Sequence, residues 1–276
     1  MTKIYAMAMQ KGGVGKTTSV VNLAAFLAKS GFRVLVVDLD PQANATSNFG
    51  FNKHEMSPST YDLLLEDREY TSATVTHGET QVHLLPSNPE LAGIEVELVS
   101  LMAREYRLKR ALESANGRYD YILIDCPPSL GLLTVNALTA AKDGVLIPVQ
   151  CEYLALEGLT QLLETIKLVQ QHLNPDMAIR GLIMTMYDSR TNLSRQVVEE
   201  VRAHFPGRVF KTIIPRNVRL SEAPSFGQPI TLYAPSSAGA MAYKVLTGEL
   251  LRGDDMKRSQ IAANGAKSRT TAQEGS

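Results

Sequence analysis

Apolar residues in this chain gather into short unbroken runs rather than the alternation of a half-exposed sheet. Runs at 4–9, 33–40, 119–125, 144–150, 179–187 and 209–214 are rich in Val, Ile and Leu, with a shorter one at 82–86. Continuous runs of this length suit strands covered on both faces. Between them the pattern changes to helical period. After the first run Val20, Val21, Leu23, Ala24 and Leu27 share one face, and helical patterns recur near 59–68, 90–114, 157–172, 193–204 and 236–251. Residues 221–233 hold Pro224, Ser225, Gly227 and Pro229 and read as loop with one helical turn. Strands alternating with helices predict an α/β fold: a single domain with a doubly wound, mainly parallel sheet flanked by helices, over residues 1–252. Beyond 253 the chain turns to Gly, Ser, Thr, Ala, Lys and Gln without period, so residues 253–276 are expected to form an unordered tail.

The joint between the first strand and first helix carries the main candidate chemistry. Gln10-Lys11-Gly12-Gly13-Val14-Gly15-Lys16-Thr17-Thr18 joins a strand, a glycine-rich turn and a helix N-terminus. Turn amides pointing inward and the positive end of the helix dipole form an anion cradle. Lys16 is placed to reach β- and γ-phosphates and the Thr17 hydroxyl to ligate Mg²⁺. The common pattern G-x-x-x-x-G-K-[ST] would put glycine at position 10, where this chain has Gln10, and a second lysine, Lys11, follows.

Two further strand ends carry acids. The second run ends Asp38-Leu39-Asp40 before Pro41, and the run at 119–125 ends at Asp125 before Cys126, Pro127 and Pro128. In open parallel sheets, ligands bind at the carboxyl edge of the strands. Asp125 fits the acid that holds the Mg²⁺ shell, unless it only caps the following turn. Asp40 is placed to orient a water for in-line attack on a γ-phosphate, with Asp38 as competitor; Asp40 is preferred because it lies farther toward the edge.

Composition narrows the class. The 276 residues are 44% hydrophobic with a formal net charge of zero, enough for a core and no polycation. Cys126 and Cys151 make no C-x-x-C pair and no disulfide framework. No leader pattern and no membrane-length apolar run is present, so a cytoplasmic location is expected. Charge is uneven: residues 51–105 hold ten Asp/Glu against three Lys/Arg, while 180–220 hold eight Lys/Arg against three Asp/Glu.

Set in order, K-G-G-V-G-K-T-T at 11–18, D-L-D-P-Q at 38–42, I-D-C-P-P-S-L-G at 124–131 and P-R-N-V-R-L-S-E-A-P-S-F-G at 215–227 resemble the ParA/Soj partition ATPases. These belong to the deviant Walker-A (ParA/MinD) group of P-loop NTPases. The resemblance covers roughly residues 3–250. It implies ATP/ADP and Mg²⁺ as cofactors, bound through Lys11, Gly12, Gly13, Val14, Gly15, Lys16, Thr17 and Thr18. Pro215 would lie against adenine and Asn217 at its edge. It implies a homodimer on ATP binding, with Lys11 reaching the partner's nucleotide like an arginine finger. Arg190 and Arg219 match positions of non-specific double-stranded DNA binding, and Arg195, Arg202 and Arg216 extend the patch; read singly, each is equally a surface or ion-pair residue. The implied partner is a ParB-type centromere-binding protein with a basic N-terminal segment, for which the acidic block at 51–105 is a docking candidate. A nucleoid-associated location follows.

The alternative is a MinD-like membrane-cycling positioning ATPase. It requires a basic amphipathic C-terminal helix, and residues 254–276 offer only Met256 and Ile261 as large aliphatics. No membrane partner is therefore expected. The first strand begins at residue 3, so operator-specific repression through an N-terminal helix-turn-helix domain is not expected either.

Overall fold

The computed structural model describes residues 1–66, 68–152 and 155–273, except the side chains of 155–157 and 256–273. In chain order the elements are β1 (Lys3–Met7), α1 (Lys16–Lys29), β2 (Val34–Asp38), α2 (Asn44–Asn48), α3 (Thr60–Glu66), β3 (Val75–Thr76) and β4 (His83–Leu85). Then come α4 (Ile94–Leu98), α5 (Arg107–Ala111), β5 (Tyr121–Asp125), α6 (Leu132–Ala140), β6 (Gly144–Gln150), α7 (Ala155–His172) and β7 (Ile179–Tyr187). The chain closes with α8 (Asn192–His204), β8 (Val209–Pro215), α9 (Val218–Glu222), α10 (Ile230–Tyr233) and α11 (Ala238–Gln273).

The strands form one eight-stranded sheet in the order β3-β4-β2-β5-β1-β6-β7-β8, parallel throughout except for the β3–β4 pair. This is the doubly wound, mainly parallel sheet expected from the apolar runs. The two-residue pleat divides each central strand between two cores. Ile4, Ala6 and Ala8 join Leu35, Val37, Ile122 and Ile124 in one cluster, while Tyr5 and Met7 join Val34, Val36, Tyr121 and Leu123 in the other. Register sets Asp38 and Met7 on either side of Asp125, so the acids reach one edge together.

Several elements depart from the sequence reading. The helix expected over 90–114 is broken into α4, α5 and short 3₁₀ turns, because Ala103 takes a left-handed φ of 52° that a continuous helix cannot hold. β3 and α2 are too short to show a period. α6 is apolar nearly all round and buried, so no amphipathic stripe marks it. The segment 221–233 holds a 3₁₀ turn and α10 rather than one turn. The α11 backbone continues from Ala238 to Gln273, across the stretch from 253 that the sequence pattern left without a period; the side chains of 256–273 and all of 274–276 lie outside the described residues.

The opposite, amino edge of the sheet is closed by α11. The Asp254 carboxylate is buried and accepts from Tyr5 Oη at 2.6 Å, Tyr121 Oη at 3.0 Å and Arg180 Nε at 3.1 Å. Arg180 also donates to the Leu250 carbonyl at 2.9 Å. A buried carboxylate shared among three donors pins the helix to β1, β5 and β7.

Candidate functional site

The turn between β1 and α1 holds Gly13 at φ 73° and Gly15 at φ 90°, both in the region that favours glycine. Gly15 caps α1, and its carbonyl accepts from Ser19 N at 2.9 Å. Thr185 Oγ1 donates to the Val14 carbonyl at 2.8 Å, tying the turn to the end of β7. Lys16 is buried and its Nζ donates to the Lys11 carbonyl at 3.2 Å across the loop. Burial lowers the Lys16 pKa, against the attraction of Asp125, Cys126 and Asp40.

The three acids differ sharply in what their oxygens already hold. Asp38 is filled: one oxygen accepts from Asp40 N at 3.1 Å, the other from Thr46 N and Thr46 Oγ1, both at 2.8 Å. Burial still raises its pKa to about 7. Asp40 accepts from Gln42 N through Oδ1 at 2.9 Å and lines the open cavity, leaving its other oxygen for a ligand. Asp125 is fully buried, and among the described residues neither of its oxygens has a hydrogen-bond partner. Burial pushes its carboxyl well above the usual range, Asp38 adds repulsion, and the Thr17 hydroxyl and Lys16 ammonium oppose the shift.

A buried carboxylate with no partner requires a cation or a proton. Asp125 with the Thr17 hydroxyl supplies hard oxygen donors of the kind Mg²⁺ takes. Among the described residues no three acid, His or Cys groups form a complete metal cage. That fits an ion held by one or two protein oxygens together with phosphates and waters.

Two cavities adjoin at the phosphate loop and share lining residues. One of about 340 Å³ is lined by Gly12, Gly13, Gly15, Lys16, Thr17, Thr18 and Asp40, with Pro128 along its wall. The second, about 310 Å³, lies beneath Pro215, Arg216 and Asn217, with Ile214 and Tyr243 at its back. Gly15, Thr18, Met186 and Pro224 border both. A chamber walled by the turn glycines, Lys16 and Asp40, next to one walled by Ile214, Pro215 and Tyr243, suits a ligand with phosphates at one end and a flat ring at the other. Asn217 Oδ1 accepts from Leu220 N at 3.3 Å as the cap of α9, so its amide N–H₂ remains for a ring edge.

Four of the five arginines stand at the same carboxyl edge. Arg190 is exposed and pairs with Asp188 at 2.7 Å, holding that carboxyl well below its usual range. Arg216 lines a groove with Arg190 and Asn217. Arg195 lies in the first turn of α8, bonded to Asn192 Oδ1 at 2.9 Å, and Arg219 pairs with Glu222 at 2.9 Å. Arg202 does not join them. It lies ten residues along α8, about 15 Å at helical rise, and donates to the Lys211 carbonyl near the start of β8. The helical turn that gave it a place in the basic stretch carries it toward the other end of the sheet.

Sequence reasoning missed other lining residues. Gln42, Asn44 and Asn48 reach the phosphate-sized cavity from the short α2 region, and Met186 at φ 53° ends β7 beside it. Asn44 and Asn48 are four apart, the one signal that they share a face.

A family profile described as an AAA domain matches residues 2–179. The sporulation initiation inhibitor protein Soj of Bacillus subtilis is 57% identical over 250 residues, spanning 91% of this chain and 98% of that protein. The chromosome partitioning protein ParA of Myxococcus xanthus is 52% identical, spanning 92% and 90%. Among solved structures, cobyrinic acid a,c-diamide synthase from Mycobacterium smegmatis with bound ATP analog and magnesium superimposes with a TM-score of 0.81 at 43% identity, covering 91% of this chain and 95% of that one. With the loop, both acid-ended strands and the Pro215 turn in the expected order over nine-tenths of its length, the chain belongs to the ParA/Soj family of P-loop ATPases.

Proposed function

We propose that this protein is an ATP-dependent DNA-segregation ATPase, slow alone and stimulated by a ParB-type partner. The observation that carries the reading is the cavity lined by the turn glycines, Lys16 and the half-open Asp40, with the buried, unpartnered Asp125 close enough to interact with both. In this reading the turn amides and Lys16 hold the β- and γ-phosphates, while Pro215 and Asn217 hold adenine. Asp125 and Thr17 hold Mg²⁺, which neutralises charge on the phosphate oxygens. Asp40 orients the attacking water and takes its proton as the bond from the γ-phosphorus to the bridging oxygen breaks, leaving ADP and phosphate. Asp38 has no oxygen left for that task, which supports Asp40.

Lys11 is assigned to the second nucleotide of an ATP-bound homodimer. Arg190, Arg195, Arg216 and Arg219 are assigned to DNA phosphates, giving sequence-independent, salt-sensitive binding over the nucleoid. The names of the relatives favour partition over the synthase reading, since the one named for chromosome partitioning reaches 52% identity against 43% for the synthase structure. The deciding measurement is retention on duplex DNA with ADP, ATP and a non-hydrolysable analogue. Retention only with the triphosphate forms is expected; equal retention in all three removes the reading, and ATP-dependent flotation with liposomes would replace it with the membrane-cycling one.

A further inference from the structure

A further cavity, of about 580 Å³, opens at the amino edge of the sheet, beside the starts of β2 and β4 and just before β5. The five residues of β2 separate it from Asp38, about 13 Å at strand rise, so it is not part of the phosphate-loop site.

Its walls are aromatic and fixed. Tyr119 meets Tyr70 with centroids 5.8 Å apart at 70° and His83 at 5.4 Å and 75°. Phe32, which lines the cavity, meets Tyr121 at 5.4 Å and 89°. Edge-to-face contacts of this kind hold each ring in one orientation, so the walls are formed before any ligand arrives. Burial raises the Tyr119 phenol well above its ordinary pKa, and the wall stays uncharged there.

The polar lining has one sign. Arg33 and Arg118 border the cavity, and no Asp or Glu does. Asp120 accepts from Arg33 Nε at 3.2 Å and Nη2 at 3.1 Å, which holds that guanidinium in place. Arg118 has no carboxylate partner among the described residues, and the Thr71 and Thr76 hydroxyls have no hydrogen-bond partner there either. His83 Nδ1 is taken by Tyr119 Oη at 2.8 Å, leaving Nε2 as the ring's other polar atom. A larger cavity of about 690 Å³ near α11 mixes Arg208, Lys211 and Arg252 with Glu249 and Asp255, and shows no such bias.

Donors without an acid, set over fixed aromatic rings, select a flat ring that carries an acceptor-rich anion. Phosphate is the anion that an arginine fork and hydroxyl groups take best. We propose that this cavity is a second ligand site, for a molecule of the nucleotide class: an aromatic base joined to a phosphate. Arg118 and the two threonine hydroxyls take the phosphate, and Phe32, His83 and Tyr119 flank the ring. The site requires nothing of the reaction at the carboxyl edge.

The probe is AMP, titrated by calorimetry into the full chain carrying Lys16→Ala, which disables the phosphate loop. AMP should bind, while adenosine and inorganic phosphate should each bind at least about tenfold more weakly, because each lacks one half of the recognised molecule. Adding Arg118→Glu, at an exposed position, should weaken AMP at least about tenfold with the melting temperature kept. Adding Arg208→Glu, in the larger cavity, should leave AMP binding unchanged. Absent AMP binding, or parity of adenosine or phosphate with AMP, overturns the proposal. So does AMP binding that survives Arg118→Glu, or a loss that follows Arg208→Glu instead. In an otherwise wild-type chain Arg118→Glu should keep ATP turnover; losing turnover and AMP together would put AMP at the phosphate loop and overturn the second site. If wild type hydrolyses no ATP while the Lys16→Ala chain binds AMP as described, the partition reading fails and this site stands.

Discussion

Asp125→Asn should make the empty protein more stable and the nucleotide-loaded protein less so. Asp125 is fully buried with both oxygens unpartnered, beside Asp38 and Asp40 and with Lys16 as the one nearby ammonium. An unsatisfied buried charge costs about 3 kcal/mol. Removing it also takes an attraction from Lys16, a loss of about 1 kcal/mol. The balance of about 2 kcal/mol should raise the melting temperature by about 4–8 °C in a chain of this size. Saturating Mg·ATP, at about a hundredfold over its dissociation constant, should add about 2.7 kcal/mol to wild type and clearly less to the variant.

The pH dependence carries the same sign. Burial raises the carboxyl pKa of Asp38 to about 7 and that of Asp125 well above its ordinary value. Between the unfolded carboxyl range near 4 and these raised values, the folded empty protein binds more protons than the unfolded chain. Its stability therefore falls as pH rises through this window, and the penalty is absent below about 4. Thermal melts of the empty protein across that window, with and without Mg·ATP at neutral pH, read all three effects. A lower melting temperature for empty Asp125→Asn, or a wild-type stability that rises with pH across the window, refutes the reasoning.

Lys11→Ala should bind ATP yet fail to form the ATP-dependent dimer by sedimentation; an unimpaired dimer removes its assignment. Asp40→Ala should accumulate an ATP-bound dimer with turnover near background, whereas wild-type turnover would return the role to Asp38. Asp254→Ala leaves Arg180 buried without its carboxylate and should cost about 3–5 kcal/mol in denaturant unfolding, with DNA retention kept at permissive temperature. Arg190→Glu and Arg219→Glu should each weaken DNA retention and flatten its salt dependence, while Arg202→Glu leaves both unchanged.

What could be read from the chain was whatever a local period or a short motif expresses. The central strands announced themselves because burial on both faces makes them apolar without a break. The phosphate loop showed because its glycines, lysine and threonine are consecutive. Arg202 went astray because a basic run in sequence is not a basic face: α8 spreads the run over the height of the sheet. α6 and α2 were hidden for opposite reasons, one buried on nearly every side and the other only five residues long. The choice between Asp38 and Asp40 turned on Thr46, eight residues on, whose amide and hydroxyl fill Asp38. No spacing rule in the strand itself encodes that contact.

The second lysine has an electrostatic rationale that the motif alone does not express. The carboxyl edge brings three carboxylates toward one ammonium, Lys16. ATP adds about four negative charges and Mg²⁺ returns two, so the loaded site is left strongly negative even with Asp38 protonated. Turn amides and the α1 dipole contribute partial charges of about half a unit, too little to balance it. Another full cation is needed as the γ-phosphate departs. Within one chain Lys11 stands at the loop mouth, its carbonyl accepting from Lys16 and its Cβ and backbone N facing Gly158 near the start of α7. A second protomer laid over that mouth would bring its own Lys11 to this one's phosphates, coupling the missing charge to dimerisation. Hydrolysis would then wait on assembly, the order that the proposed reading requires.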